Sequence, residues 1–137
     1  MAFNDKFRLS SHAVILKPGV SEPSVLLLKA NYGDCRWGLP GGALEPNETI
    51  HEALLRECQE ELGVLVQVKC LTGVYYHQAY DSQAFIFFCE LDDSHTICLS
   101  EEHSEYHYTP VSRLSKVQRQ RIEDCLSYDG VVVSRKF

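Results

Sequence analysis

The sequence predicts an α/β fold in which a mixed sheet carries helices on its faces. Three observations point there. Short apolar runs bounded by turn residues recur along the chain. One strongly periodic helix lies between them, over 49–62. A second, more ragged helix follows the last long runs, over Lys116–Tyr128.

The elements follow in order. "HAVILK" and "SVLLLKA" read as strands split by the turn-rich "PGVSEP". "DCRWGLPGGALEPNE" reads as a loop. "TIHEALLRECQEEL" reads as a helix: Thr49 and Glu52 have capping-box spacing, and Gly63 suits the position just past its end. "VLVQVKCLTGVYYHQ" and "QAFIFFCEL" read as strands, "HTICLS" as a weaker one. "YHYTPVSRL" leads into the second helix, and the tail "GVVVSRKF" is either a further strand or loose. With no repeat or linker, residues 1–137 are expected to form a single domain.

Composition narrows the function. The chain is 45% hydrophobic and 23% charged, enough apolar content for a core without staples. A net charge of −6 argues against a nucleic-acid polymer as partner, because that needs a basic face. The six cysteines form no C-x-x-C pair, so a structural zinc site is not expected. The N-terminal "MAFNDKFRLS" has no long apolar region and no run is long enough to span a bilayer. A cytoplasmic protein with free thiols and no membrane partner is the expectation. The oligomeric state is not legible.

The helix carries the chemistry. Ile50, Leu54, Cys58 and Leu62 form one stripe at helical spacing. Glu57, Glu60 and Glu61 stand at i, i+3 and i+4, one patch bordering that stripe. Like charges so placed raise one another's pKa, and Arg56 can neutralise only part of them. A hard divalent cation would neutralise more. A solvated, ion-paired helix face would use the same residues, since Glu52–Arg56 and Arg56–Glu60 also have i,i+4 spacing.

The longer stretch "WGLPGGALEPNETIHEALLRECQEELGV" decides between these. Gly42, Glu48, Arg56, Glu57, Glu60, Glu61 and Gly63 fall at all fixed positions of G-x5-E-x7-R-E-U-x-E-E-x-G-U, where U is a bulky aliphatic. The stretch resembles the Nudix box of the MutT-like hydrolases. Cys58 departs from the pattern at a U position, where a buried cysteine acts as a small hydrophobe. The resemblance implies a Nudix-type α/β/α sandwich that hydrolyses a nucleoside diphosphate linked to another moiety, with Mg2+, or Mn2+, as cofactor. It implies Glu57, Glu60, Glu61 and the carbonyl of Gly41 as metal ligands, Arg56 orienting Glu57, and Glu48 supporting the loop–helix geometry. Family members often draw a further acid from a later loop. Here Glu101, Glu102 and Glu105 are available, and Glu102 is favoured as base or extra ligand.

Substrate contacts are less constrained. Lys29 and Arg36 flank the box and could meet phosphates, Trp37 is expected to pack, and the six histidines lack ligand spacing. Tyr80, sixteen residues past Val64, resembles a weak family marker of dinucleoside polyphosphate hydrolases, whereas the proline marker of ADP-ribose pyrophosphatases is missing. The expected substrate is therefore a small nucleotide. The alternatives are a dinucleoside polyphosphate hydrolase and a non-catalytic nucleotide-sensing module. Retention of all three acids argues against the sensor.

Overall fold

In a computed structural model, which describes residues 3–92 and 96–137, the chain folds into ten main elements. These are β1 (Arg8–Ile15), β2 (Ser24–Ala30), β3 (Trp37–Gly38), β4 (Gly41–Ala43), α1 (Ile50–Leu62), β5 (Gln67–His77), β6 (Ser82–Glu90), β7 (His103–Pro110), α2 (Lys116–Leu126) and β8 (Val133–Lys136). Short 3-10 turns at Gln78–Tyr80 and Val111–Arg113 join β5 to β6 and β7 to α2.

Strand alternation builds the sandwich. Along β1, Ala13 and Ile15 enter one core and Val14 the other. On β2, Leu26 and Leu28 separate in the same way from Val25 and Leu27. The first core is closed by Leu54, Cys58 and Leu62 of α1, the second by Ile122 and Cys125 of α2. Each helix thus covers one face. The near-continuous apolar runs of β1 and β2 are explained by burial on both sides.

The strands form two sheets. The larger, in the order β4-β1-β6-β5-β8, is mixed: β1 runs parallel to β6, and β5 parallel to β8. The smaller, β3-β2-β7, is antiparallel and was not anticipated as separate. An isolated antiparallel bridge between Leu16 and Val25 links the two. The expected loop over 34–48 also contains β3 and β4, which are too short to show periodicity and are set by pairing to β2 and β1.

Three further expectations are refined. The second helix stops at Leu126 rather than Tyr128. The tail does add a strand, β8, held by Arg135, whose Nε and Nη2 donate to both oxygens of Asp124 at 2.7 and 2.8 Å. The expected strand "HTICLS" is not one over residues 96–100, and His95 lies outside the described residues. Its backbone is drawn instead to α1: the Cys98 N–H donates to Leu62 O at 2.8 Å, meeting a carbonyl that the helix leaves open at its end. Among the described residues, no helix is long and apolar enough to cross a membrane.

Candidate functional site

Helix α1 is fixed at both ends by its own sequence. The Thr49 hydroxyl accepts from Glu52 N–H, and the Glu52 carboxylate accepts from Thr49 N–H, both at 3.1 Å. Gly63 ends the helix in the left-handed region, at φ 69°, donating to Gln59 O at 2.9 Å. With its stripe against the sheet, the three acids are graded in burial. Glu61, three residues past Cys58, is 5% exposed. Glu57, three past Leu54, is half-buried, and Glu60 is exposed.

The strand before the helix meets these acids with backbone. The Gly41 N–H donates to Glu61 Oε2 at 2.8 Å. Gly41 has φ 139°, and a Cβ there would stand 2.1 Å from Ser11 O of the neighbouring strand. A Cβ on Gly42 would stand 2.7 Å from the Glu57 carboxyl carbon.

Arg56 organises the cluster. Its Nε and Nη2 donate to the two oxygens of Glu48 at 2.7 and 2.9 Å, a bidentate pair. Its Nη1 reaches Glu57 Oε1 at 2.9 Å and Glu60 Oε2 at 3.3 Å, and Nη2 also reaches Ala43 O at 3.1 Å. One guanidinium therefore ties the β4 strand, the loop acid Glu48 and two helix acids together. The hydrogen bonds of Arg56 hold the Glu48 carboxyl below its ordinary pKa.

The same cation leaves negative charge uncompensated deeper in. Burial, reinforced by the charges of Glu57, Glu102 and Glu60 and opposed by the Gly41 N–H, pushes the Glu61 carboxyl up to about 8. Glu57 is also raised, by burial first, against the pull of Arg56 and with Glu60 and Glu102 adding to the rise. Glu102 therefore acts on both buried helix acids from outside the box. Glu101 and Glu105 are placed differently. The Glu101 carbonyl accepts from Asn31 Nδ2 at 3.2 Å, and the Glu105 carboxylate pairs with Lys29 at 3.4 Å.

A cleft of about 360 Å³ opens beside the cluster, lined in part by Gly41, Gly42, Glu61, His12, His103 and the loop from Tyr32 to Trp37. Arg36 lies at its exposed mouth, paired with Asp34 at 3.2 Å. Trp37, expected to pack, is 41% exposed and stands on the wall. Lys29 is not brought to the cleft. Its neighbours Leu28 and Ala30 line it, and strand alternation turns Lys29 to the other face. Tyr80 is likewise outside the lining, 63% exposed in the turn between β5 and β6.

Two lining histidines were missed. Burial, and then the charge of Arg121, pushes His12 down to about 4. His103 is nine-tenths buried, with Nε2 3.9 Å from Glu61 Oε1. Single histidines without spacing give no signal in a sequence; only the pairing of β1 with β4, and the start of β7, bring them here.

The donor set suits a hard divalent cation: every acid in it is a carboxylate, and two of them are penalised for holding charge without one. Among the described residues, no three such side chains stand ready around a common point.

Fold and site together define an α/β/α sandwich with a carboxylate-bearing helix beside an open cleft. A family model described as NUDIX domain matches residues 6–126. A MutT-like protein of Streptomyces ambofaciens is 33% identical over 114 residues, covering 81% of this chain and 74% of that protein. The chain thus belongs to the NUDIX domain family. An ADP-ribose pyrophosphatase of Methanocaldococcus jannaschii is 39% identical over 74 residues, 51% of this chain and 44% of that protein, so the match spans less than half of the relative. An ADP-ribose pyrophosphatase from Streptococcus suis superposes with a TM-score of 0.75 at 18% identity, covering 96% of this chain and all of that one; at that identity the likeness is one of fold.

Proposed function

We propose that this chain is a magnesium-dependent hydrolase of a phosphoric anhydride bond in a nucleoside diphosphate linked to another moiety, with manganese as a second competent ion. One observation carries the reading: the buried Glu61 carboxyl, which lines an open cleft, is raised by burial and by the charges of Glu57 on the same helix and Glu102 from a distant segment. Such convergence is a cost to a folded domain, and a cation relieves it. Glu57, Glu60, Glu61 and the Gly41 carbonyl would hold the ion. When bound, it lowers the pKa of a water and polarises a phosphoryl oxygen.

The chain's own groups do the rest. Arg56 fixes the rotamers of Glu57 and Glu60, so two ligands are oriented before any ion arrives. The Gly41 N–H fixes Glu61. Glu102 takes the proton of the attacking water, or supplies a further ligand. Arg36 meets phosphate at the cleft mouth. Tyr32, exposed on the cleft lining, offers an aromatic ring to a base, which suits a nucleotide, including a dinucleoside polyphosphate.

The test is a phosphate-release screen with Mg2+ over nucleotide sugars, ADP-ribose, ordinary and oxidised nucleoside triphosphates, and dinucleoside polyphosphates. Turnover in one class names the substrate. Tight binding with no turnover anywhere identifies a nucleotide sensor and overturns the hydrolase reading.

A further inference from the structure

The segment ahead of β7 is laced to the site from both sides. On one side the Cys98 N–H donates to Leu62 O at 2.8 Å, and the Ser100 N–H to Glu61 O at 3.4 Å. On the other the Asn31 N–H donates to Glu102 O at 2.7 Å. Within the turn, the Glu102 N–H donates to Ser100 Oγ and the His103 N–H to Ser100 O, both at 3.3 Å. Such a strap is poorly suited to swing as a lid. It holds the backbone of Glu102 over the end of α1.

His103 closes the strap with a side chain. Its imidazole is nine-tenths buried on the cleft wall and faces Glu61. The other ring nitrogen, Nδ1, is buried and has no partner among the described residues. A buried polar atom left without a partner is a cost that an apolar residue of similar size would avoid. With Nδ1 uncommitted, no competing bond holds the ring away from Glu61. The tautomer with hydrogen on Nε2 aims a donor at Glu61 Oε1, the oxygen that Gly41 does not hold. The 3.9 Å gap is longer than a hydrogen bond, as is common before a site is filled, and about 1 Å of movement closes it.

We propose that His103 is a positioning residue of this site: through Nε2 it fixes the second oxygen of Glu61, and through the adjoining backbone it keeps Glu102 over the helix acids. Its role is that of an outer-shell partner to a ligating carboxylate. Loss of such a partner typically costs ~10–100-fold in metal affinity or activity. The proposal rests on the hydrolase reading only for its kinetic consequences.

The test compares the wild-type chain with His103→Leu and His103→Gln. Three quantities are measured: melting temperature, Mn2+ affinity by calorimetric titration, and kcat and KM on the best substrate of the screen. Leu fills the space without a donor, whereas Gln keeps a nitrogen at a similar reach. His103→Leu is expected to melt no lower than wild type, to bind Mn2+ roughly ten-fold or more weakly, and to lose at least about ten-fold in kcat with little change in KM. His103→Gln is expected to stay within a few-fold of wild type in both. Wild-type behaviour of His103→Leu, or equal defects in Leu and Gln, overturns the proposal. Should His103→Leu fail to fold, His103→Asn, too short to reach Glu61, takes its place, and equal behaviour of Asn and Gln overturns it. A wild-type chain that binds Mn2+ but hydrolyses nothing sinks the hydrolase reading, while the Mn2+ comparison still decides the role of His103.

Discussion

Gly42 and Glu57 stand so close that any side chain on the first would displace the carboxylate of the second: a Cβ on Gly42 lies 2.8 Å from both Glu57 oxygens. Unlike Gly41, Gly42 has ordinary backbone angles, so its alanine variant meets no conformational strain. The obstructing atoms are the movable end of a side chain. Gly42→Ala should therefore fold, with a melting temperature within a few degrees of wild type, and lose at least about ten-fold in kcat through a misplaced Glu57. Gly41→Ala meets backbone at 2.1 Å and a φ of 139°, and should fail to accumulate as folded protein. A Gly42→Ala enzyme with full turnover would remove Glu57 from the chemistry.

Arg56→Lys keeps the charge and loses the fork. A single ammonium cannot serve Glu48, Glu57, Glu60 and Ala43 O together. Both turnover and stability should fall, turnover by at least about ten-fold, and the melting temperature by several degrees because the tie between β4 and α1 is weakened. Thermal unfolding and steady-state kinetics on one preparation check this. An unchanged melting temperature would show that Arg56 acts on the acids alone.

The titration of Glu61 sets a pH window. Its carboxyl is raised from 4.5 to about 8 on folding, so the protonated form is the stable one in the native state. Stability from this group is full below pH 4.5 and is lost as pH rises through about 8. His12, lowered from 6.5 to about 4, acts oppositely between those values, since its neutral form is the stable one. The two oppose each other between pH 4.5 and 6.5; above that the fall from Glu61 remains, and the raised Glu57 acts in the same direction. Without divalent ions the melting temperature should fall between pH 6.5 and 8, and Glu61→Gln should flatten that slope. Stabilisation by Mg2+ or Mn2+ should grow over the same range, because binding requires the ionised carboxylate. A flat profile in wild type would contradict the burial of Glu61.

Among the loop acids, Glu102→Gln should slow single-turnover hydrolysis by ~10²–10⁴, the range for loss of a general base. Glu101→Gln and Glu105→Gln should stay within a few-fold of wild type, since the first contributes a carbonyl and the second pairs with Lys29. A large defect in Glu105→Gln with none in Glu102→Gln would reassign the base.

The sequence by itself determined α1 and its acids, because everything needed there is local. The capping box, the C-terminal glycine and the i, i+3, i+4 spacing are properties of one continuous segment, and Arg56 reaches all of its carboxylate partners from within the box. It also determined the strand runs that fill both cores. What it left open is what depends on chain segments far apart meeting. β3 and β4 are two and three residues long and exist only because β2 and β1 offer them partners. Lys29 and Arg36 look alike in the sequence, yet the pleat of β2 turns Lys29 from the cleft while the loop carries Arg36 to its mouth. The unequal burial of Glu57, Glu60 and Glu61 depends on how α1 is rotated against the sheet, which spacing alone gives only as a shared border. His103 is the extreme case. Nothing within its own segment distinguishes it from five other histidines, and only the docking of the strap against the end of α1 sets its ring opposite Glu61.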